Sequence, residues 1–362
     1  MRARVLAVVS VALTLPVLPP VSHAAEGRTP VWLPGTVIAT PGRYIVTRNL
    51  IGGGPTITIT TGNVDLDLNG MTLDAGGVAA PVVSVVAAGS GDVVLHDGTL
   101  LNGGENVAIT APGQRLVLED LKIDGSGGAA IHIIDSQNFV VRRVTITDAG
   151  AEGILVDGPM NKQGVIEKNL VRRTQATAIR VIGGTSIGVV ENHVEETAPV
   201  AGNYGIALDS CESCLIAQNT VHSTGDSGIF LRGLKSGKVY NNTVGKAGAH
   251  GIYLDPTSAD SLVLNNVVSG SGAVTAGGSG LFVDGDRIMI EGNVLNANSG
   301  AGLRLSAGTT FITFGRNTAR GNAGVGVGPC AVAPTLFPPN SCNDGPGNST
   351  FGNNLIPGPP VF

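Results

Sequence analysis

The sequence predicts an all-β chain wound as one parallel solenoid of about 11–12 coils, and three observations predict it. A phrase of the form Gly-Ile-x-Leu recurs about every 25 residues. An Asn-x-Val phrase follows each copy at a similar distance. Between them lie short β-branched runs with period-two alternation, broken by Gly, Asn, Asp and Ser, and no stretch carries helical spacing. Composition agrees. Of 362 residues 54 are glycine, 42% are apolar and only 14% are charged, so the chain folds but fills its core with aliphatic side chains. The net charge of -5, with no Lys/Arg cluster, excludes a basic nucleic-acid binder.

The chain opens with an expected signal peptide over residues 1–24. Arg2 and Arg4 precede an apolar run from Val5 to Val21, and Ser22-His23-Ala24 offers small residues for cleavage after Ala24. Pro16, Pro19 and Pro20 break the run, which argues against a retained anchor. The expected product is secreted, extracellular or periplasmic, monomeric, and without an integral membrane segment after cleavage. Residues 25–55 read as an N-terminal cap, 56–328 as the coils, and the Pro/Gly-rich stretch 329–362 as a C-terminal cap over the open strand edge.

In the repeat region the first apolar position falls at Ile154, Ile179, Ile206, Ile229, Ile252, Leu281 and Leu303. Fainter copies start at Ile57, Val82, Val107 and Ile131, with Val325 as a possible last turn. Strands that recur in one sense must pair in parallel with their copies in the next coil. Asn169, Asn192, Asn219, Asn242, Asn266, Asn293 and Asn317 then fall in register. Each is expected at an αL turn position, with its amide bonded to the Asn of the next coil. Four cysteines in an exported chain read as two disulfides, Cys211–Cys214 and Cys330–Cys342; zinc is disfavoured by the second pair's spacing.

The Gly-Ile-x-Leu … Asn-x-Val frame resembles the repeat of right-handed parallel β-helix proteins, the pectate-lyase-like superfamily. Gly35-Thr36-Val37-Ile38 and Val64-Asp65-Leu66-Asp67-Leu68-Asn69-Gly70 look like its N-terminal start, and the resemblance spans roughly residues 35–328. It implies a secreted protein that binds or cleaves polysaccharide along one parallel sheet. The family's sharper signatures are missing. The N-T-D, D-D, G-H-G and R-I-K set of the polygalacturonase-like branch is not intact, and W-x-D-H is absent. The mannuronan epimerase D-P-H is approached only by Leu254-Asp255-Pro256, with Thr257 in place of His, and the calcium-binding nonapeptide also fails, with Phe282 where Asp belongs.

Columns of stacked residues supply the candidate site. The Gly, the x and the fourth residue of the phrase are expected to face outward, and the Ile and Leu inward. The x column runs His132, Leu155, Arg180, Ala207, Phe230, Tyr253, Phe282, Arg304. Phe230, Tyr253 and Phe282 thus form a ladder, either a platform for sugar rings or rings stacked on one another. The fourth column runs Asp157, Ile182, Asp209, Arg232, Asp255, Asp284, Ser306, with Asp209, Arg232 and Asp255 as an expected triad. Asp255 and Asp284 are candidates for a Ca2+ pair, or for acid/base carboxylates, against the alternative of turn chemistry. Tyr204 and His250, in the column before the Gly, are of the residue types that serve as base and acid. Lengthened loops at Thr197–Asn203 and Ser269–Ser279 flank this stretch. The expectation is a polysaccharide-acting lyase, hydrolase or epimerase with Asp209, Arg232, His250 and Asp255 as catalytic candidates. Tyr204, Phe230, Tyr253 and Phe282 are the substrate-binding candidates. The alternative is a non-catalytic glycan-binding or envelope protein; a β-helix that assists metalloenzyme assembly lacks metal-ligand spacing in its support.

Overall fold

The computed structural model describes residues 27–86, 91–110, 115–306, 309–323, 327–328 and 349–351. The expected signal peptide and the Cys330–Cys342 pair lie outside the described residues. Among the described residues every regular element is a β-strand, and no helix is long and apolar enough to cross a membrane.

Each repeat winds one coil. A typical coil holds three short strands, Ile154–Asp157, Val165–Glu167 and Leu170–Thr174. The first strands of successive coils form one parallel sheet of 13 strands in chain order. That is one more than twelve, because Thr36–Ile38, inside the segment read as a cap, already pairs in parallel with Ile57–Ile59. The recurring phrase is itself the register: Ile154 pairs with Ile179, Ile179 with Ile206, Ile206 with Ile229, Ile229 with Ile252, and Ile252 with Leu281. Those side chains, with the Leu or Val two residues on, point inward and are essentially inaccessible. The core is therefore a stack of aliphatic layers repeated at the strand spacing of ~4.8 Å.

The corner between second and third strands is held by the asparagine ladder. Asn169 Nδ2 donates to Asn192 Oδ1 at 2.9 Å, and the same bond links Asn192, Asn219, Asn242, Asn266, Asn293 and Asn317 in turn. Each Oδ1 also accepts the backbone N–H of the preceding ladder Asn, and each amide also reaches a carbonyl of the preceding coil, such as Asn242 to Ile216 O at 3.0 Å. These amides are buried and fully satisfied, which is the condition for polar groups in a core. The αL residue is not the ladder Asn but the one before it. Lys168, Glu191, Gln218, Asn241 and Asn265 have φ between 54° and 57°. The chain reverses there, so the Asn itself points inward at its neighbour. In earlier coils Gly98 and Leu121 stand where the ladder would continue, and there the strands Asp92–Gly103 and Arg115–Ser126 run through the corner unbroken.

The glycine column corrects the expectation that it faces outward. Gly205, Gly228 and Gly251 are buried, and a Cβ on them would lie 2.3, 2.3 and 2.1 Å from Val221, Val244 and Val268 Cγ1. Alternation begins only at the Ile, and the preceding residue lies at a corner where the chain crosses the core's edge. Cys211 and Cys214 form the expected disulfide, both sulfurs buried. Asn242→Ala should lower stability in chemical denaturation by about 2 kcal/mol or more, because it orphans buried partners on both sides. Exposed Thr243→Ala, at the adjacent position, should stay within ~0.5 kcal/mol.

Candidate functional site

The expected aromatic column forms on the face of the 13-stranded sheet. Phe230 pairs in register with Tyr253, and Tyr253 with Phe282. Their ring centroids are 5.4 and 4.8 Å apart, the second pair stacked at 12°. Ala207, at the column position of the preceding coil, is buried, and the ring that stacks on Phe230 is Tyr204, at 4.4 Å and 15°. At the far end the Arg304 guanidinium lies 4.6 Å over Phe282. His250 wedges against the ladder, 5.5 Å from Tyr253 and 4.9 Å from Phe282. The rings thus stack on one another along the column, as the second of its two expected arrangements requires.

The titratable groups of the ladder are all neutral. Burial pushes Tyr204 up to about 12 and raises Tyr253 as well, so both phenols keep their protons. Burial, helped by the Arg304 charge, pushes His250 down from 6.5 to about 4. Its Nδ1 accepts the Ser279 N–H at 3.0 Å, so the neutral ring carries its proton on Nε2. With one nitrogen occupied and the other protonated, His250 is a hydrogen-bond donor rather than a base. The lengthened loop supplies Ser279, which makes the loop the part that fixes the tautomer.

The charged column forms a different triad from the one expected. Asp209 is buried, and it sits between Arg180 Nε at 3.2 Å and Arg232 Nε at 2.7 Å. Arg180 also approaches Glu152 at 3.6 Å. Arg232 does not pair with Asp255, because the chain leaves the sheet at Asp255-Pro256. Asp255 Oδ1 accepts the N–H groups of Gly233 and Thr257 at 3.1 and 3.0 Å, and the Thr257 and Ser258 hydroxyls at 2.8 and 3.1 Å. This is turn chemistry, and it leaves Asp255 few lone pairs for a cation. No third carboxylate or imidazole joins Asp255 and Asp284 among the described residues. Asp284 differs: it is half-buried beside Tyr253 and accepts no hydrogen bond among the described residues.

Three further residues complete the site. Arg180 and Arg304 are visible in the sequence as cations on either side of the aromatic stretch of the x column, but their roles depend on contacts with other coils. Asp226 ties down the first long loop, with Oδ2 accepting the Gly202 N–H at 2.8 Å and Oδ1 the Ser227 N–H at 2.6 Å.

The sequence matches the family described as "Right handed beta helix region" over residues 80–202 and 197–329. The chain belongs to the right-handed β-helix family. No curated protein matches it. Among solved structures this β-helix is similar to the periplasmic alginate epimerase AlgG, at 15% identity and TM-score 0.63, covering 88% of this chain and 79% of that one. It is also similar to two mannuronan C-5 epimerase A-modules of Azotobacter vinelandii. AlgE4 shares 15% identity at TM-score 0.57, over 83% of this chain and 89% of that one. AlgE6 shares 17% at 0.55, over 90% and 92%. At these identities the likeness carries the fold of the β-helix and no more.

Between pH 6.5 and about 4 an unfolded His250 takes up a proton that the folded one refuses, so stability should fall as pH falls through that window. Melting curves of His250→Phe should show a shallower loss over it than the parent; parallel losses would contradict the burial of a neutral His250.

Proposed function

We propose that this β-helix binds a polysaccharide along the face between Tyr204 and Arg304, with acidic sugars seated at the Arg304 end. The observation that carries the reading is the ladder with its row of uncharged donors, the Tyr204 and Tyr253 phenols and His250 Nε2–H, ending on an arginine with no carboxylate partner among the described residues. Sugar hydroxyls and ring oxygens accept from such donors, and ring edges supply apolar contact. Arg304 suits a carboxylate. The similar structures are an alginate epimerase and a mannuronan C-5 epimerase, which supports an acidic polysaccharide here. Export through the 1–24 segment brings the protein to such a polymer.

A second reading, modification of the bound chain by a lyase, hydrolase or epimerase, is favoured by one observation. Asp284 is an unengaged carboxylate beside a phenol that stays protonated. That pair suits proton abstraction and return better than the catalytic set Asp209, Arg232, His250 and Asp255, because Asp209 is clamped by two arginines, Asp255 builds a turn and His250 lacks a free lone pair.

Binding of mannuronate oligosaccharides, read by calorimetry, tests the first reading. Tyr253→Ala should weaken affinity roughly tenfold or more. Arg304→Ala should weaken uronate chains by a similar factor and remove most of the salt dependence. Unchanged affinity in both folded variants would refute the site. If the wild-type chain turns the polymer over, Asp284→Asn should abolish turnover and leave affinity intact.

A further inference from the structure

Toward the N-terminal end of the same sheet, one column changes its chemistry. The residue two places before the first inward strand position is Glu105, Glu152, Tyr204 and His250 in alternate coils, with Ala129, Thr177 and Ser227 between them. Donors occupy one end of the column and carboxylates the other. At Glu105 the corner leading into the sheet is rich in glycine, with Val78, Pro81, Asn102 and Ser126 at its sides. Gly103, Gly104, Gly125, Gly127 and Gly128 line, with Glu105, a groove of ≈ 690 Å³. Coil stacking requires part of this: a Cβ on Gly104 would lie 2.4 Å from Ala79 O, and one on Gly128 3.0 Å from Gly104 O. The outcome is a floor along which a ligand approaches backbone directly.

The Glu105 carboxylate is held over this floor by His132. Oε1 lies 2.9 Å from His132 Nδ1, and Oε2 has no hydrogen bond among the described residues. His132 Nε2 is buried and without a partner among the described residues. Glu105 raises the proton affinity of the ring above its ordinary 6.5, with Asp157 and Glu152 of the next coil adding to it. Arg180, two coils on from His132 in the x column, is engaged by Glu152 and Asp209.

We propose that this groove is a second glycan subsite, which takes a neutral sugar through its hydroxyls, with Glu105 as acceptor and His132 as the residue that positions it. The inference rests on the reading that this face carries a glycan, and it assigns the two ends different sugars. Glu105, Glu152 and Asp157 repel a uronate carboxylate, whereas vicinal hydroxyls donate to a carboxylate as charge-assisted bonds. Six coil steps separate Glu105 from His250, about 29 Å at ~4.8 Å each, the span of an oligosaccharide rather than one sugar.

Cellotetraose titrated into the full chain, followed by amide and imidazole magnetic resonance, tests it. The Gly103, Gly104, Gly127 and Gly128 amides and the His132 ring should shift together. Gly127 is exposed, and a Cβ there has its nearest neighbour at 3.7 Å. Gly127→Trp should therefore fold, fill the groove and weaken the titration at least tenfold. Glu105→Gln should weaken it about tenfold and move His132 titration down toward 6.5, which loss of a merely structural contact elsewhere would not do. Tyr253→Ala should leave it unchanged. Glycine amides unmoved by cellotetraose, xylotetraose and mannotetraose alike, or shifts that survive Gly127→Trp, overturn the subsite. Mannuronate shifts at Tyr253 are read separately, so either site can fail without the other.

Discussion

The structure depends on one constraint: each coil must lie in register on the last, at the spacing of parallel strands. Hydrogen bonding between strands sets that spacing, and the asparagine ladder keeps the coils from slipping at the corner. A slip of one residue would turn Ile154 or Ile179 outward and bring polar neighbours into the core. It would also break the amide chain from Asn169 to Asn317, whose bonds are made only when every coil is in phase. Aliphatic layers and the ladder therefore select the same register. That agreement is what lets a chain with few charges and few aromatics specify a single winding.

The same constraint makes the functional face. Residues far apart in sequence stand one strand spacing apart on the surface, so a side chain repeated in the sequence becomes a row. Rings at that distance meet each other, which is why Tyr204, Phe230, Tyr253 and Phe282 form a continuous stack. The stack buries its own faces and drives nearby titratable groups into their neutral forms. What remains outward is a line of donors on a rigid base. Charge appears where the row ends, at Arg304, beside Tyr253 at Asp284, and where it is neutralised, as Asp209 is by Arg180 and Arg232. Under the proposed function, a polymer that repeats at a few ångströms would meet a surface that repeats at a similar distance.

Much of this was legible in the sequence, because in a solenoid the period converts directly into contacts. The register of the sheet, the asparagine bonds, the aromatic column and the Cys211–Cys214 bond all follow from spacing. What was not legible depends on where a strand starts and on contacts across coils. Gly205 and Gly228 lie before alternation begins, so counting by twos put them on the wrong side. Asp255 followed by Thr257 and Ser258 carries the signal of a turn in its own neighbourhood, the alternative weighed against the column reading, and its bonds are those of the turn. The tautomer of His250 rests on a backbone N–H donated from Ser279, in the next coil's loop, which no local pattern reveals. Glu105 and His132 meet for the same reason, one coil apart in space and 27 residues apart in the chain.

The central claim is that one face of the solenoid, the row from Tyr204 to Arg304, is the surface that meets polysaccharide. A crystal structure of the chain with a bound mannuronate hexasaccharide tests it most directly. The account predicts sugar density running parallel to the coil axis, with His250 Nε2 and the Tyr253 hydroxyl donating to sugar oxygens and a carboxylate at Arg304. Sugar bound on either of the other two sheet faces, with this row bare, would contradict it.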